Sequence, residues 1–256
     1  MTNQEIETIE HKYLERFYHF LKFVEEDMLR GFLTKEKIKE DWEDKWDPSG
    51  EGKGISSFSK GAERIVYALI NGKGIGQPNS APVGADLFFE VEDAFIHIDL
   101  KTVQTRNIGD YVNDIFIGAN QNSYDYEIKK QNGQSFNPKR FNKPALPHIY
   151  KNNGIPKPCL TYFITILYDE TSLDILNINL LCMPNGQLSS VYKDTVLKAG
   201  KTPKDVRFKF SECNQFLTLS GNPSRIKVIY LNPNMSETFR KKLEFFFNIR
   251  EKYNQF

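Results

Sequence analysis

Polar and hydrophobic residues alternate with period two near residue 100, which is typical of a β-strand with one buried face. The alternation predicts a strand over residues 94–101 and, before it, a shorter strand over residues 86–90. The acidic pair at residues 92–93 would form the turn between them. The pattern therefore predicts a β-hairpin whose second strand carries Asp99 and Lys101 on one face and aliphatic residues on the other.

Other segments have the hydrophobic spacing of helices or the continuous hydrophobicity of buried strands. Residues 159–169 and 173–183 are apolar on both faces, which predicts central strands that are buried on both sides. A helix over residues 2–30 begins with a capping box, and its apolar face would pack on the core or on a second copy of the chain. Further helices are predicted to begin at Thr34 and to span residues 59–71, 188–199 and 236–253, with further strands over residues 111–117, 206–211, 216–219 and 225–231.

Composition narrows the class of protein without assigning a function. With 256 residues, 39% of them hydrophobic, the chain can form one large domain or two small ones. A formal net charge of +1 means that any nucleic-acid surface must be a local basic patch. Three widely spaced cysteines predict reduced, buried thiols in a cytoplasmic protein. We expect neither a signal peptide nor a membrane span, since no hydrophobic run approaches about 20 residues.

The predicted hairpin brings two carboxylates together. A turn centred between Glu92 and Asp93 would place Asp86 opposite Asp99, with Cβ atoms roughly 5 Å apart, whereas an odd-length turn would shift this pairing by one residue. Facing carboxylates repel, and Lys101 alone cannot neutralise both. A divalent cation can, and oxygen ligands suit Mg²⁺. A solvated hairpin with ordinary surface charges is the alternative, but the apolar strand around Asp99 favours a cleft.

These residues resemble a known family. Asp86, followed after the turn by Asp99-Leu100-Lys101, is similar to the core of the PD-(D/E)xK nucleases, the superfamily of most type II restriction endonucleases. Ala85 stands where the motif has proline, a position without a chemical role. The preceding helix carries Glu63, where the family often places a third carboxylate. Stretches at residues 112–121, 146–150 and 183–186 are similar, in the same order, to the EcoRV-like branch of these enzymes.

The resemblance implies a fold and a domain organisation. It indicates an α/β (mixed α+β) fold, in which a central mixed β-sheet is flanked by helices around a restriction-endonuclease-like core. Residues 1–256 would form a single domain. Within it, residues 1–57 would be a helical N-terminal part, residues 58–183 the catalytic core, and residues 184–256 strands and a C-terminal helix for DNA reading and packing.

The resemblance also implies a reaction. Asp86, Asp99 and the Leu100 carbonyl would hold Mg²⁺, and Mn²⁺ could replace it, whereas Ca²⁺ should support DNA binding without cleavage. Lys101 would orient the attacking water or neutralise developing charge; it is not expected to be the base, because two neighbouring carboxylates favour its protonated form. Glu63 would be either a third catalytic carboxylate or a solvated helix residue. The products would be 5′-phosphate and 3′-hydroxyl ends.

The implied partner is double-stranded DNA with a short palindromic or interrupted-palindromic site, read by a homodimer. A cognate DNA methyltransferase is expected in the same host. Two stretches could read bases: the amides of Asn120, Gln121 and Asn122, or a strand face with Arg207, Lys209 and Ser211. The first could equally be a turn and the second a solvent-facing basic edge. Lys139 and Arg140, in a basic loop, could follow phosphates or simply be solvated.

Two other functions fit the same residues. A structure-specific nuclease of DNA repair or recombination would keep the same catalytic residues but recognise DNA shape instead of sequence. A non-enzymatic DNA-binding protein would make the spacing of Asp86, Asp99 and Lys101 accidental, and its DNA binding would not depend on a metal ion.

Overall fold

A mixed β-sheet lies at the centre of the fold. The computed structural model describes residues 1–33, 58–72, 87–129, 139–200, 205–213 and 224–253. Three sheets occur in this part of the chain, one of six strands, one of three and one of two. The strands are β1 Leu87–Glu90, β2 Phe95–Gln104, β3 Ile115–Ile117, β4 Glu127–Lys129, β5 Lys139–Phe141, β6 Ile149–Asn152, β7 Ile155–Tyr168, β8 Ile175–Met183, β9 Leu197–Ala199, β10 Val206–Phe208 and β11 Ile226–Leu231.

The central sheet has the strand order β1-β2-β7-β8-β11, and β6 pairs with the first part of β7. β2 and β7 are parallel, whereas β1 with β2, β7 with β8, and β8 with β11 are antiparallel. β7 and β8 correspond to the two continuous hydrophobic runs, and β8 is buried along its whole length. The predicted mixed sheet with two buried central strands is confirmed.

Helices cover one face of this sheet. They are α1 Asn3–Phe23, α2 (25–33) and α3 Phe58–Gly72. The predicted capping box is present, since Thr2 and Glu5 exchange hydrogen bonds at the start of α1. Phe17 of α1 packs edge-on against Tyr162 of β7, with ring centroids 5.3 Å apart. Burial of such a side chain contributes about 1.5–3 kcal/mol to stability.

The first helix is shorter than its sequence pattern predicts. We expected one helix to residue 30, but Val24 leaves helical geometry with φ −101° and ψ 12°. The chain resumes a helical path over residues 25–33, and Met28 and Phe32 are buried there. The hydrophobic spacing continues through the break because both segments pack on the same core.

The opposite face of the central sheet is covered by the three-stranded sheet, in the order β3-β10-β9, and by C-terminal helices. The remaining α-helices are α4 Ser189–Tyr192, α5 Phe210–Cys213, α6 Glu237–Lys242 and α7 Glu244–Tyr253. Ser236 caps α6 as predicted, but the predicted single C-terminal helix is divided at Leu243 (φ −100°, ψ 10°). The helices and the mixed sheet together confirm the predicted α/β fold class.

Two predicted elements on this side are wrong. Residues 188–199 form short helical turns followed by β9, because Lys193 adopts a positive φ of 51° that ends α4. The predicted strand over residues 206–211 ends at Phe208, and Ser211 lies in α5. Arg207, Lys209 and Ser211 therefore do not share one strand face.

The three cysteines are free and buried, as predicted. Burial raises the pKa of the Cys159 thiol to about 12, which keeps it protonated and unreactive. No helix among the described residues is long and apolar enough to cross a membrane. The helix predicted from Thr34, the strand predicted over residues 216–219, and Asp86 lie outside the described residues.

Candidate active site

The β1–β2 hairpin has the predicted register. Leu87 pairs with Ile98 and Glu90 with Phe95, as expected for a turn centred between residues 92 and 93. The turn is fixed to α1, because Asp93 accepts hydrogen bonds from Lys12 Nζ and the Tyr13 hydroxyl, both at 2.6 Å. The described pairs thus support the register from which the facing carboxylates were inferred.

Asp99 and Lys101 lie on one face of β2, next to β7. The Asp99 side chain is only 4% exposed and that of Lys101 18%, and Asp99 Oδ2 lies 2.5 Å from Lys101 Nζ. Lys101 Nζ also lies 5.8 Å from the ring centre of Phe163. A buried carboxylate is costly unless it is paired and hydrogen-bonded, and this carboxylate is both. The pair places a cation and an anion side by side at the margin of the core.

A loop after β3 brings a third side chain to this pair. Gln121, at the end of the 3₁₀ helix Ala119–Gln121, donates from Nε2 to Asp99 Oδ1 at 2.8 Å. Its Oε1 accepts from Lys101 Nζ at 2.8 Å and from the Gly118 N–H at 2.7 Å. The sequence predicted Gln121 as a base reader, whereas the structure brings it to Asp99 and Lys101.

His97 points to the same face, two residues before Asp99. It is almost fully buried, and neither ring nitrogen has a hydrogen-bond partner among the described residues. Thr161, its neighbour on β7, likewise has a buried hydroxyl that lacks a partner in the described part of the chain. Burial, with a smaller effect of the Lys101 charge, lowers the pKa of His97 to about 3. The imidazole is therefore neutral beside the charged pair.

The oxygen atoms at this place suit a hard divalent cation. An ionised carboxylate has about four lone-pair positions, so the Asp99 oxygens can accept more than the two contacts from Lys101 and Gln121. No group of three or more His, Cys, Asp or Glu side chains within the described ranges could hold a metal ion. A metal here would need further oxygens, such as the Leu100 carbonyl, water, a phosphate, or Asp86 from outside those ranges.

Comparison with known families identifies the chain. Residues 2–172 match the model of the N-terminal domain of the type II restriction enzyme MwoI, and residues 175–231 match its central-domain model. The chain belongs to this restriction-enzyme family. As a family member it is a type II site-specific deoxyribonuclease. The resemblance to type II restriction endonucleases inferred from the sequence is confirmed.

Solved structures of restriction endonucleases share the fold. The tetrameric restriction endonuclease SfiI bound to cognate DNA matches with a TM-score of 0.66 and 13% identity, covering 92% of this chain and 88% of SfiI. BglI bound to its DNA recognition sequence matches with a TM-score of 0.53 and 16% identity, covering 91% of this chain and 98% of BglI. No curated protein sequence matches the chain.

Within this restriction-endonuclease fold, Glu63 lies on α3 and is partly buried. The buried residues of α3, such as Val66, pack with Ile96 and Ile98, which point to the face of β2 opposite Asp99. The catalytic role predicted for Glu63 stays a prediction.

The amides predicted to read DNA have different environments. Asn122 is buried, donates to the Gly118 carbonyl at 2.9 Å and accepts from the Tyr124 N–H at 3.1 Å. Asn120 is exposed on the loop. Of the amides at positions 120–122, Asn120 is therefore the most exposed, and Gln121 contacts the charged pair.

The basic residues predicted to contact DNA lie in different parts of the fold and have different partners. Arg207 on β10 forms an ion pair with Asp114 and donates to the Asp110 carbonyl at 3.1 Å. Lys209 pairs with the exposed Glu212 at 2.9 Å. Lys139 and Arg140 lie on β5, which pairs with β4, so the basic loop predicted there contains a strand. Their DNA contacts stay predictions.

Two features were missed in the sequence. Asp114 binds both Arg207 and Lys198, the latter at 3.0 Å, and these charges lie on neighbouring strands beside the exposed Phe116. His97 was seen only as part of the strand alternation, although a histidine in an apolar strand was itself a signal of an unusual environment. Arg207 and Lys198 are both more than 80 residues from Asp114 in the sequence, so a local pattern could not predict that these residues form ion pairs.

Proposed function

We propose that the chain is a Mg²⁺-dependent type II restriction endonuclease that cleaves both strands of duplex DNA and leaves 5′-phosphate and 3′-hydroxyl ends. The observation that carries the proposal is the pairing of Asp99 with Lys101 on β2, next to Gln121. Restriction endonucleases typically need divalent metal ions. The register of β1 with β2 supports Asp86 as a second carboxylate, because its continuation by one residue would bring Asp86 opposite Asp99.

In this proposal, Asp86, Asp99 and the Leu100 carbonyl hold the metal. When bound, Mg²⁺ lowers the pKa of a coordinated water and stabilises negative charge on phosphate oxygens. Mn²⁺ would serve as a substitute, and Ca²⁺ would permit binding alone. Lys101 contributes a fixed positive charge that can orient the attacking water or neutralise the developing charge at the phosphate. Glu63 is proposed as an additional carboxylate.

The proposed substrate is a short palindromic or interrupted-palindromic site. Two copies related by a twofold axis present the same reading residues to both half-sites, which favours a homodimer. Arg207, Lys209, Ser211 and Asn120 are proposed to contact bases. Lys139 and Arg140 are proposed to contact phosphates. A DNA methyltransferase of matching specificity would protect the host genome.

The proposal is tested by digesting plasmid and phage DNA in Mg²⁺ and sequencing the fragment ends. We expect a few discrete fragments with a common end sequence. Asp99→Asn should cleave at least about a hundredfold more slowly, because a neutral amide replaces an anionic oxygen ligand at the reacting centre. The matched control is Asp27→Asn, since Asp27 is exposed on α2.

Three results would contradict the proposal. They are a random ladder of fragments, cleavage that persists in excess chelator, and wild-type cleavage rates in Asp99→Asn. The first would instead indicate a nuclease that does not read sequence. The second would exclude a metal-dependent reaction, and the third would remove Asp99 from it.

A further inference from the structure

Gln121 makes a hydrogen bond to each of the two charged side chains proposed for catalysis. Nε2 donates to Asp99 Oδ1 at 2.8 Å, while Oε1 accepts from Lys101 Nζ at 2.8 Å. The same Oε1 accepts from the Gly118 N–H at 2.7 Å. The residue therefore contacts the anion, the cation and the backbone of its own loop at once.

The chemistry of these partners requires an amide. Lys101 Nζ and the Gly118 N–H can only donate, and the Asp99 carboxylate can only accept. The amide of Gln121 has one orientation that satisfies all three partners. A carboxylate in its place would repel Asp99, and an ammonium group would repel Lys101. A neutral side chain with a donor and an acceptor at its end satisfies both.

The contacts of Gln121 also restrict the position of Lys101. Lys101 has a long flexible stem, and its Nζ already lies 2.5 Å from Asp99 Oδ2. If Asp99 moves towards a metal ion, a lysine held only by Asp99 is free to follow it. Gln121 Oε1 gives the ammonium group a second acceptor, so the lysine is held in place by more than Asp99.

The loop that carries Gln121 is itself braced. The Ala119 carbonyl accepts from the Ala145 N–H at 2.6 Å, and Asn122 Nδ2 donates to the Gly118 carbonyl at 2.9 Å. The buried Tyr124 donates its hydroxyl to the Lys193 carbonyl at 2.8 Å. Contacts on both sides of Gln121 thus hold its loop against neighbouring segments of the chain.

We propose that Gln121 is a positioning residue that holds Asp99 and Lys101 in their relative places for DNA cleavage. This role rests on the proposed metal-dependent nuclease activity, and it replaces base reading as the function of this side chain. Reacting groups must be held within fractions of an ångström, and a displacement of about 1 Å can slow a reaction about a hundredfold.

The test compares Gln121→Met with the wild type on a duplex carrying the site mapped by digestion. Methionine keeps the length of the side chain but cannot bond to either charged partner. We expect the single-turnover rate in saturating Mg²⁺ to fall about a hundredfold, while the Kd for the same duplex in Ca²⁺ changes less than threefold. With enzyme in excess, this rate does not depend on the folded fraction. Gln4→Met, at an exposed position of α1, is the matched control and should behave as wild type.

Gln121→Glu tests the donor and the acceptor of the amide group separately. It keeps an acceptor for Lys101 and Gly118 but places a second carboxylate oxygen against Asp99. We expect a loss of rate here as well, because the donor to Asp99 is gone and repulsion replaces it. Wild-type cleavage by Gln121→Glu would overturn the role at Asp99.

The outcomes separate this inference from the function on which it rests. Wild-type rates in Gln121→Met would overturn the positioning role alone, provided that Asp99→Asn is inactive. A parallel loss of rate and of affinity in Ca²⁺ would also overturn it, since that pattern marks a DNA contact. No cleavage by the wild type would refute the proposed function and this inference together.

Discussion

At the scale of single residues, the site depends on charged groups placed where a β-strand would ordinarily be apolar. Asp99 lies between Ile98 and Leu100 in a strand whose other face is packed in the core. Burial of an unpaired carboxylate would cost several kcal/mol, so the contacts from Lys101 and Gln121 stabilise Asp99 in its buried position. If the proposed function holds, the same residues contribute both to stability and to cleavage.

Gly186 is a residue-scale feature that can be tested by stability. A Cβ at this position would lie 2.1 Å from the Ser123 carbonyl oxygen and 2.2 Å from His148 Cδ2, so the backbone can approach only if the residue is glycine. We expect Gly186→Ala to lower the free energy of unfolding by about 1–3 kcal/mol, measured by urea denaturation. Gly109→Ala is the control, because a Cβ there meets nothing within 4 Å. Equal stabilities of the two variants would show that the segments around Gly186 can move apart without a loss of stability.

At the scale of elements, a buried ionic network joins α1 to the edge of the central sheet. Arg225, directly before β11, lies 2.7 Å from Glu10 and 3.3 Å from Glu7, and its side chain is 6% exposed. Glu10 also accepts from the Asn185 N–H at 2.6 Å. Burial raises the pKa of the Glu10 carboxyl, and the charge of Arg225 opposes this shift. The arginine therefore places a positive charge against two buried carboxylates.

We expect Arg225→Met to lower the free energy of unfolding by about 3–5 kcal/mol at neutral pH, because two buried carboxylates lose their cation. A carboxyl whose pKa in the folded protein is above its ordinary value of 4.5 binds protons better in the folded state. The deficit should therefore be largest above that raised pKa and shrink as the pH falls through it. Urea denaturation at pH 5 and pH 7.5 measures this difference.

The control for this network is an ion pair with greater exposure. Glu25 pairs with Lys22, whose side chain is 40% exposed, and Glu25→Gln should change stability by less than about 1 kcal/mol. A deficit of Arg225→Met that is equally small, or that grows on acidification, would contradict the proposed role of the network.

At the scale of the whole molecule, family membership and fold describe a type II site-specific deoxyribonuclease. In the proposed function, one chain supplies one set of Asp99, Lys101 and Gln121, whereas duplex DNA has two strands to cut. SfiI, which shares the fold, is described as a tetramer bound to cognate DNA. The number of chains in the assembly of this protein is a separate question, and the proposed palindromic site would favour an assembly with a twofold axis.

We expect the protein to bind its mapped site in Ca²⁺ as a dimer of 29.7 kDa chains, without cleavage. Sedimentation equilibrium with the duplex gives the mass of the complex, and electrophoresis of the recovered DNA detects cutting. A scrambled duplex of equal length is the control. A complex with one chain or with four, or equal affinity for both duplexes in Ca²⁺ and in chelator, would contradict this prediction.

The sequence by itself determined the features that depend on local pattern. Period-two alternation predicted the hairpin, and a turn centred between Glu92 and Asp93 predicted its register, because the position of the turn sets the cross-strand pairs. Continuous hydrophobicity identified β7 and β8, and the capping box located the start of α1. The motif Asp99-Leu100-Lys101 indicated the enzyme family. It could be recognised in the sequence because its residues are adjacent on one strand.

Only the tertiary structure decided which polar groups meet. Gln121 is an amide in a turn-forming stretch, and no local rule distinguishes contact with a base from contact with Asp99 and Lys101. The segment at residues 188–199 looked helical, but β9 pairs with β10, and that pairing overrides its local preference. Arg207 likewise meets Asp114 through the pairing of β10 with β3. Contacts between distant segments depend on the packing of the whole chain, which short-range periodicity does not contain.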